Sequence, residues 1–412
     1  MAGVELGTAS TMACEDSLTE LAALAKGLGV DVVGQVTQRL KEIDPRTFIG
    51  RGKVAELARM ARERGATLAV FDDSLSPVQA RNLERELQLR LIDRSQLILD
   101  IFAQRARSSE GKIQVEMAQL SYLQARLTRQ WSHLSRLSAS GGFGGYVGAR
   151  GPGETQLEVD RRRARRRLAL LAAKLRAVER SRTLQRQRRQ QRSYPMVALV
   201  GYTNAGKSSL MNALTKAAVE VAERPFSTLD PTVRRLRLPS GLQVMLADTV
   251  GFIHRLPHLL IEAFKATLEE VRNASLLLHV ADLSSALRSE QFEVVDRVLA
   301  EIGVGQIPRL LVKNKADLVD CAWLKDEAND GVVVSAVNGQ GIDRLRSQIS
   351  KFFADLQQEV TVTVPAARAD LLAIAHRSGR VLSVEYQDGM VSMRALVTPS
   401  AAAALRRAAV EI

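Results

Sequence analysis

Aromatic residues, cysteines and long apolar runs are scarce in this chain, and each shortage excludes a class of protein. Phe, Trp and Tyr make up only 4% of the 412 residues, too few for a surface that stacks single-stranded bases. The two cysteines, Cys14 and Cys321, lie far apart and predict neither a disulfide framework nor a metal cluster. No apolar run approaches the ~20 residues of a membrane span, and residues 1–5 lack the basic start of an export signal. We therefore expect a cytoplasmic protein with no transmembrane segment, and leave peripheral membrane association open.

Positive charge is what the chain has in excess. Its formal net charge is +13, from 58 Lys and Arg against 45 Asp and Glu. From Arg150 to Arg192, fifteen basic residues accompany only four acidic ones, a local net charge of +11. This concentration predicts a polyanionic partner that touches the protein in one place. The length and the 46% hydrophobic content predict two or three globular domains.

The stretch from residue 201 to residue 208 reads G-x-x-x-x-G-K-S, between a short apolar run and a helical pattern. A strand, a glycine-bearing loop and a helix N-terminus together form a phosphate cradle. We expect Lys207 to reach the β- and γ-phosphate oxygens and Ser208 to ligate Mg²⁺. The residues predicted to contact nucleotide here are Gly201, Tyr202, Thr203, Asn204, Ala205, Gly206, Lys207, Ser208 and Ser209.

Two further stretches have the order and spacing of GTPase switches. Residues 225–230 predict a first switch, in which Thr228 is a second hydroxyl ligand to Mg²⁺. Asp248 ends a predicted strand and would hold the metal through water, while the Gly251 N–H would sense the γ-phosphate. Lys207, Thr228 and Gly251 are thus the predicted catalytic residues. The nucleotide contacts predicted here are Phe226, Ser227, Thr228, Leu229, Asp230, Asp248, Thr249, Val250 and Gly251.

Two later stretches predict the base that is bound. Asn314, Lys315, Ala316 and Asp317 form N-K-x-D, whose carboxylate can accept both donors of the guanine Watson–Crick edge. Adenine lacks this pair of donors, so the motif favours GTP over ATP and disfavours the alternative of a P-loop metabolic ATPase. Ser335, Ala336 and Val337 follow a predicted strand and suit a backbone contact with guanine O6.

One residue of the phosphate loop suggests a further cation. Asn204 stands three residues before Lys207, where several potassium-activated GTPases also carry Asn. It predicts that K⁺ assists hydrolysis, with an ordinary loop Asn as the alternative.

Hydrophobic periodicity predicts the domain organisation. Residues 16–106 alternate strands with amphipathic helices, which predicts a parallel α/β sheet. Apolar residues then recur at three- and four-residue steps from Leu120 to Leu134 and from Leu168 to Val178, which predicts an antiparallel helical hairpin. The predicted class is α/β. Its predicted parts are an N-terminal α/β domain (1–112), a hairpin with a glycine-rich tip and a basic second helix (113–192), a P-loop G domain (193–356) and a small α+β domain (357–412).

The tip of the hairpin and its basic second helix predict RNA contacts. Tyr146, Arg150 and Pro152 are poor spacer residues, so a loop that orders on RNA is favoured over a plain linker. Because so few acids accompany the arginines, phosphate contact is favoured over a solvated helix face. The predicted RNA-binding residues are Gly141, Gly142, Tyr146, Arg150, Arg161, Arg162, Arg163, Arg165, Arg166 and Arg167.

From Ile43 to Phe353 the chain resembles the HflX GTPases. The resemblance is carried by Phe48–Lys53, Asp93–Arg94 with Ile98–Phe102, R-G-P-G-E-T-Q-L-E at residues 150–158, Asp160–Arg162 and Asp248–Ile253. Phe48–Lys53 contains two glycines at a predicted helix start, which leaves an anion site and a tight turn as alternatives. The resemblance implies an N-terminal α/β domain joined by the hairpin to a Ras-like G domain.

The resemblance also implies a function. The implied partners are the 50S ribosomal subunit and its rRNA, near the peptidyl-transferase region, and the implied action is splitting of stalled ribosomes. We expect a monomer that binds GTP and Mg²⁺ and no DNA. Phe252 stands where Ras-type proteins carry a water-orienting Gln, so hydrolysis should be slow without the ribosome. The alternatives are a GTPase of large-subunit assembly and an RNA-binding scaffold with a regulatory nucleotide site.

Overall fold

A computed structural model of the protein describes most of the chain as two compact units. The described residues are 1–6, 11–139, 162–178, 180, 194–215, 226, 232–254, 270–320 and 331–408. The first unit is Met1–Ala177, and the second comprises Val178–Arg255 and Lys265–Ile412. Both units combine sheets with packed helices, which confirms the predicted α/β class.

A four-stranded parallel sheet forms the centre of the first unit. Its strands lie in the order β2-β1-β3-β4 and every neighbouring pair is parallel, as the alternating pattern predicts. The strands are β1 (Ala2–Leu6), β2 (Val36–Leu40), β3 (Leu68–Phe71) and β4 (Arg90–Asp93). The helices are α1 (Thr11–Gly27), α2 (Arg51–Glu63), α3 (Pro77–Leu87) and α4 (Arg94–Arg105).

The sequence prediction is wrong at the start of this sheet. It missed β1, because Gly3 and Glu5 interrupt the apolar pattern of that short strand. Within the alternating pattern of residues 16–106, Asp31–Gln38 is predicted as a strand, whereas β2 begins only at Val36. The Met1 amine donates to the Gly34 carbonyl at 2.7 Å and the Val36 N–H to the Met1 carbonyl at 2.9 Å, so strand pairing starts there.

A buried arginine ties together the elements at the carboxyl edge of this sheet. Arg94 is 2% exposed and donates to Asp72 at 2.7 Å and to Glu20. The Ser17 hydroxyl donates to the same Asp72 carboxylate at 2.6 Å. Two carboxylates offset the cost of burying the guanidinium, and removing either would leave an uncompensated charge. The cluster therefore fixes α1 and α4 against the end of β3.

Two long helices complete the first unit. Helix α5 (Ser109–Ala139) begins before the predicted limit at residue 113, and α6 spans residues 162–178. The Arg167 Nε lies 2.7 Å from the Glu116 Oε1, so α6 lies beside α5. The apolar interface predicted between these two helices is only partly buried, because Leu171 is buried but Leu123 is 50% exposed. The side chains of residues 125–139 lie outside the described part.

The segment Phe48–Lys53 has partners within its own unit. The Gly50 N–H donates to the Gln38 side chain at 2.9 Å, and the Lys53 ammonium lies 2.8 Å from Glu56. These contacts favour the tight turn over the anion site.

A six-stranded sheet forms the centre of the second unit. The order is β10-β9-β8-β5-β7-β6, and all neighbours are parallel except β6 and β7. The strands are β5 (Met196–Gly201), β6 (Thr232–Arg237), β7 (Gln243–Asp248), β8 (Leu276–Asp282), β9 (Arg309–Asn314) and β10 (Val332–Val333). The helices are α7 (Lys207–Thr215), α8 (Arg288–Glu301) and α9 (Ile342–Asp355).

The C-terminal part of this unit is a three-stranded antiparallel sheet in the order β11-β13-β12. Its elements are β11 (Gln358–Pro365), α10 (Ala369–Ser378), β12 (Gly379–Gln387), β13 (Met390–Val397) and α11 (Pro399–Ala408). None of the helices in the described part of the chain has the length and apolar character that a membrane span requires. The domain limits drawn from the sequence stay a prediction.

Candidate nucleotide-binding site

The loop between β5 and α7 has a backbone that requires glycine at two positions. Gly201 has φ 155°, and a Cβ there would lie 2.2 Å from the Val280 carbonyl oxygen. Gly206 has φ 85°, and its Cβ would lie 2.3 Å from the Asn314 Nδ2. The loop can therefore pack this closely only where no side chain intervenes. It leads directly into α7, whose first N–H groups are available to an anion.

Lys207 lies across this loop. Its side chain is 6% exposed, and the Nζ donates to the carbonyls of Gly201 at 3.1 Å and Tyr202 at 2.8 Å. Burial lowers the pKa of Lys207 to about 8, and the nearby charge of Asp248 partly opposes this shift. An anion placed in the loop would favour the charged ammonium.

Ser208 and Asp248 meet at the start of α7. The Ser208 Oγ donates to the Asp248 Oδ2 at 2.7 Å, and Asp248 is 2% exposed at the end of β7. A hydroxyl and a carboxylate side by side are the hard oxygen ligands that Mg²⁺ prefers. The Thr249 hydroxyl donates instead to the Leu199 carbonyl at 2.6 Å, which turns this fully buried side chain into the sheet.

The segment after Asp248 runs against the phosphate loop. A Cβ on Gly251 would lie 2.8 Å from the Thr203 Cα and 3.0 Å from the Lys207 Nζ. The Thr203 N–H donates to the Phe252 carbonyl at 2.7 Å, and the Phe252 N–H to the Gly201 carbonyl at 3.1 Å. The Phe252 ring is buried, with 2% exposed. Glycine at 251 thus brings the backbone next to the lysine.

Asn314 joins the phosphate loop to the second predicted base-binding stretch. Its Nδ2 donates to the Ala205 carbonyl at 2.9 Å, and its Oδ1 accepts from the Ala336 N–H at 3.1 Å. The side chain is 2% exposed, so both bonds are shielded from water. Asn314 therefore holds two loops that are distant in sequence at a fixed separation.

Asp317 and its neighbours in sequence are exposed close to Asn314. Asp317 is exposed and accepts a hydrogen bond from the Ser335 hydroxyl. Two apolar side chains nearby in sequence are unusually exposed, Leu318 at 64% and Val337 at 82%. An exposed carboxylate accompanied by exposed apolar groups suits a planar base with N–H donors.

Sequence reasoning missed Asp282. It ends β8, and its Oδ2 lies 2.7 Å from the Nζ of Lys315, which itself has φ 65°. The signal was available in the sequence, because an acidic residue directly follows the apolar run of β8. This ion pair fixes the Lys315 side chain across the carboxyl edge of the sheet.

Comparison with known proteins identifies the family. Four family models match successive parts of the chain: GTP-binding GTPase N-terminal (residues 15–103), GTP-binding GTPase Middle Region (105–189), 50S ribosome-binding GTPase (196–315) and HflX C-terminal domain (323–411). The GTPase HflX of Caldanaerobacter subterraneus is 45% identical over 384 residues, which cover 93% of this chain and 88% of that protein. The GTPase HflX of Escherichia coli is 44% identical over 386 residues, covering 92% and 89%.

The chain belongs to the HflX family of GTPases. It is therefore a GTP hydrolase that binds guanine nucleotide, and the predicted family and enzyme class are confirmed. A solved GTP-binding protein from Sulfolobus solfataricus in complex with GDP aligns with 85% of this chain and 98% of its own, at 24% identity and a TM-score of 0.44. The assignment rests on the two sequence relatives.

Several predicted site residues of this HflX-family chain lie outside the described part. From the first switch these are Ser227, Thr228, Leu229 and Asp230, and from the hairpin Gly141, Gly142, Tyr146, Arg150 and Arg161. Phe226 is described and is 3% exposed.

The basic helix of this HflX-family chain is described from residue 162. Arg162, Arg163, Arg165 and Arg166 are exposed. Arg167 pairs with Glu116, so the expectation that these arginines lack acidic partners is wrong at that position. The sequence count considered only acids within the basic segment, whereas the partner comes from α5.

Proposed function

We propose that this chain is a Mg²⁺-dependent GTPase that binds the 50S subunit through its rRNA and splits stalled 70S ribosomes. One observation carries the proposal. Within the residues that match the 50S ribosome-binding GTPase model, Ser208 and Asp248 are in contact beside the phosphate loop, and Asn314 is hydrogen-bonded to that loop. A scaffold that had lost hydrolysis would be under no pressure to keep these contacts.

On the phosphate side, Lys207 would neutralise charge on the β- and γ-phosphates from its position across the loop. Ser208, with Asp248 through water and Thr228 from the first switch, would hold Mg²⁺. When bound, Mg²⁺ would stabilise negative charge on the phosphate oxygens. Gly251 lies beside Lys207, and its N–H would report whether the γ-phosphate is present.

On the base side, the exposed Asp317 carboxylate would accept the two N–H donors of guanine. The Ser335 hydroxyl already donates to this carboxylate and would keep it oriented. Asn314 would set the distance between this carboxylate and the phosphate loop, so that base and phosphates are engaged together.

Hydrolysis by this chain alone should be slow. Phe252 carries no polar group and its ring is buried, so this position supplies nothing that could orient the attacking water. The ribosome would instead have to order the switch segments for hydrolysis. GTP hydrolysis is then coupled to the presence of the subunit.

Ribosomal RNA would meet the hairpin of the first unit. Arg162, Arg165 and Arg166 are exposed on α6, and each phosphate contact would add a salt-dependent contribution to affinity. The glycine-rich tip carries little charge, so it would serve splitting more than affinity.

The test is GTP turnover of the purified chain with and without 50S subunits, followed by sucrose gradients of 70S ribosomes. We expect slow turnover alone, stimulation by 50S subunits, and GTP-dependent conversion of 70S ribosomes to subunits. Lys207→Ala should abolish all three, and exposed Lys351→Ala is the matched control. Stimulated turnover without subunit release, together with precursor subunits accumulating in depleted cells, would overturn splitting in favour of assembly.

A further inference from the structure

The edge strand of the nucleotide-binding sheet is unusually basic. Strand β6 is the outermost strand of its sheet and pairs only with β7 among the described strands. Residues 232–247 contain three arginines and no acidic residue, and the one acid of the antiparallel pair is Asp248 at the end of β7. Leu236 packs into the core, so the strand alternation places Arg235 and Arg237 together on the opposite face, where both are exposed.

These two arginines differ from several other arginines of the second unit. Arg309, Arg368 and Arg394 each pair with a carboxylate, whereas no ion pair joins Arg235 or Arg237 to any described residue. Two charges without a carboxylate partner on one strand face leave a positive potential that a polyanion can neutralise.

Neighbouring residues restrain Arg235 and the end of strand β6. The guanidinium carbon of Arg235 lies 5.9 Å from the centroid of the Tyr194 ring, which restrains the side chain by a cation–π contact. The Arg346 guanidinium donates to the Arg237 carbonyl at 2.8 Å, which fixes the end of the strand. Positioned donors lose less conformational entropy on binding than free ones.

We propose that Arg235 and Arg237 form a second RNA-binding surface, which contacts the phosphate backbone of the ribosomal RNA. The inference rests on the proposed 50S partner and adds a contact made by the nucleotide-binding unit itself. Residues two apart in a strand have Cα atoms about 7 Å apart, so both guanidinium groups can reach one stretch of backbone. Arginine is well matched to phosphate because its planar group can donate two parallel hydrogen bonds.

The alternative partner for an edge strand is a strand of another protein. Charged side chains at alternating positions disfavour such strand addition, because the incoming chain would have to bring compensating acids. Phosphate needs no such match. The other end of β6 reaches the nucleotide site, since Thr232 pairs with Asp248 of β7, whereas Arg235 pairs with Met245. RNA seated on β6 would therefore contact the neighbour of the strand that ends at the proposed Mg²⁺ position.

The test compares full-length Arg235→Gln/Arg237→Gln with a control that loses the same charge elsewhere, Arg380→Gln/Arg406→Gln. All four arginines are exposed. Binding to 50S subunits and to deproteinised 23S rRNA is titrated with KCl for both variants and the unaltered chain. Two lost phosphate contacts should flatten the slope of log affinity against log salt by about 1.4 to 1.8. The control should keep the original slope, and basal GTP turnover should be unchanged in both.

Three outcomes would overturn the inference. An unchanged slope in the β6 variant, or an equal loss in the control, would remove the specific phosphate contacts. A loss on 50S subunits but not on naked rRNA would assign the surface to a ribosomal protein. If the unaltered chain fails to bind 50S subunits, the proposed function fails, and the rRNA titration still decides the surface.

Discussion

Replacing Asn314 by Ala should uncouple the two sides of the nucleotide site. The substitution removes the donor to the Ala205 carbonyl, at 2.9 Å, and the acceptor for the Ala336 N–H, at 3.1 Å. The side chain is 2% exposed and Ala205 is 1% exposed, so water cannot replace these bonds without opening the loops. The phosphate loop and the base-binding loop would then move independently.

The cost follows from the groups that Asn314→Ala leaves behind. A buried polar group without a partner costs about 1–3 kcal/mol, and the half-buried Ala336 N–H belongs at the low end of that range. Together, the two groups should lower the free energy of unfolding of the second unit by about 2–4 kcal/mol. At a urea dependence of about 2 kcal/mol per molar, the midpoint should fall by about 1–2 M.

Three measurements on Asn314→Ala check this reasoning. Urea unfolding followed by circular dichroism gives the midpoint, a fluorescent nucleotide gives the GDP affinity, and hydrogen exchange reports protection of the Ala336 amide. Asn338→Ala is the matched control, because Asn338 is exposed and its side chain accepts from the nearby Gln340 N–H at 2.9 Å. If Asn314→Ala matched Asn338→Ala in GDP affinity and in Ala336 protection, the tie would have no role in the site.

Three other predictions address base, stability and cation. Asp317→Asn should shift preference from GTP towards XTP, because the lost carboxylate pairing costs about 2–4 kcal/mol; GTP affinity equal to that of the unaltered chain in a competition assay would contradict this. Burial lowers the pKa of His279 from 6.5 to about 4, so between these pH values the unfolded chain binds a proton that the folded chain does not. The free energy of unfolding should therefore fall as pH falls through this window, and urea titrations should show a weaker dependence in His279→Phe but not in His376→Gln. Asn204→Gly removes the carboxamide, and glycine can still adopt the φ of 60° found at this position. The substitution should abolish any advantage of KCl over NaCl in 50S-stimulated GTP turnover. Equal rates of the unaltered chain in both salts would count against a role for K⁺.

The sequence alone predicted the phosphate loop and the parallel sheet of the first unit. These features are local: Gly201 and Gly206 allow the turn that follows β5, and the strands and helices alternate with strong periodicity. The family follows from motifs that are contiguous in the chain. Backbone stereochemistry and nearest neighbours suffice for all of them, so no knowledge of strand order is needed.

Local sequence patterns could not predict strand β1 or the acidic partner of Arg167. Strand β1 has too few apolar residues to signal itself, and its burial depends on pairing with β2 and β3 from later in the chain. Arg167 meets Glu116 only because two helices lie side by side. A count of charges within one segment cannot see an acid supplied by another.

The sequence by itself determined which residues are present in each part of the nucleotide site. These are a lysine and a hydroxyl for phosphate, a carboxylate for metal, and Asp317 for guanine. Only the tertiary structure decided how these parts of the site are held next to one another. Asn314 reaches the Ala205 carbonyl across 109 positions of sequence, and Ser208 reaches Asp248 across 40. Such contacts depend on the order of strands in the sheet, because strand order sets which loop ends lie side by side at its carboxyl edge.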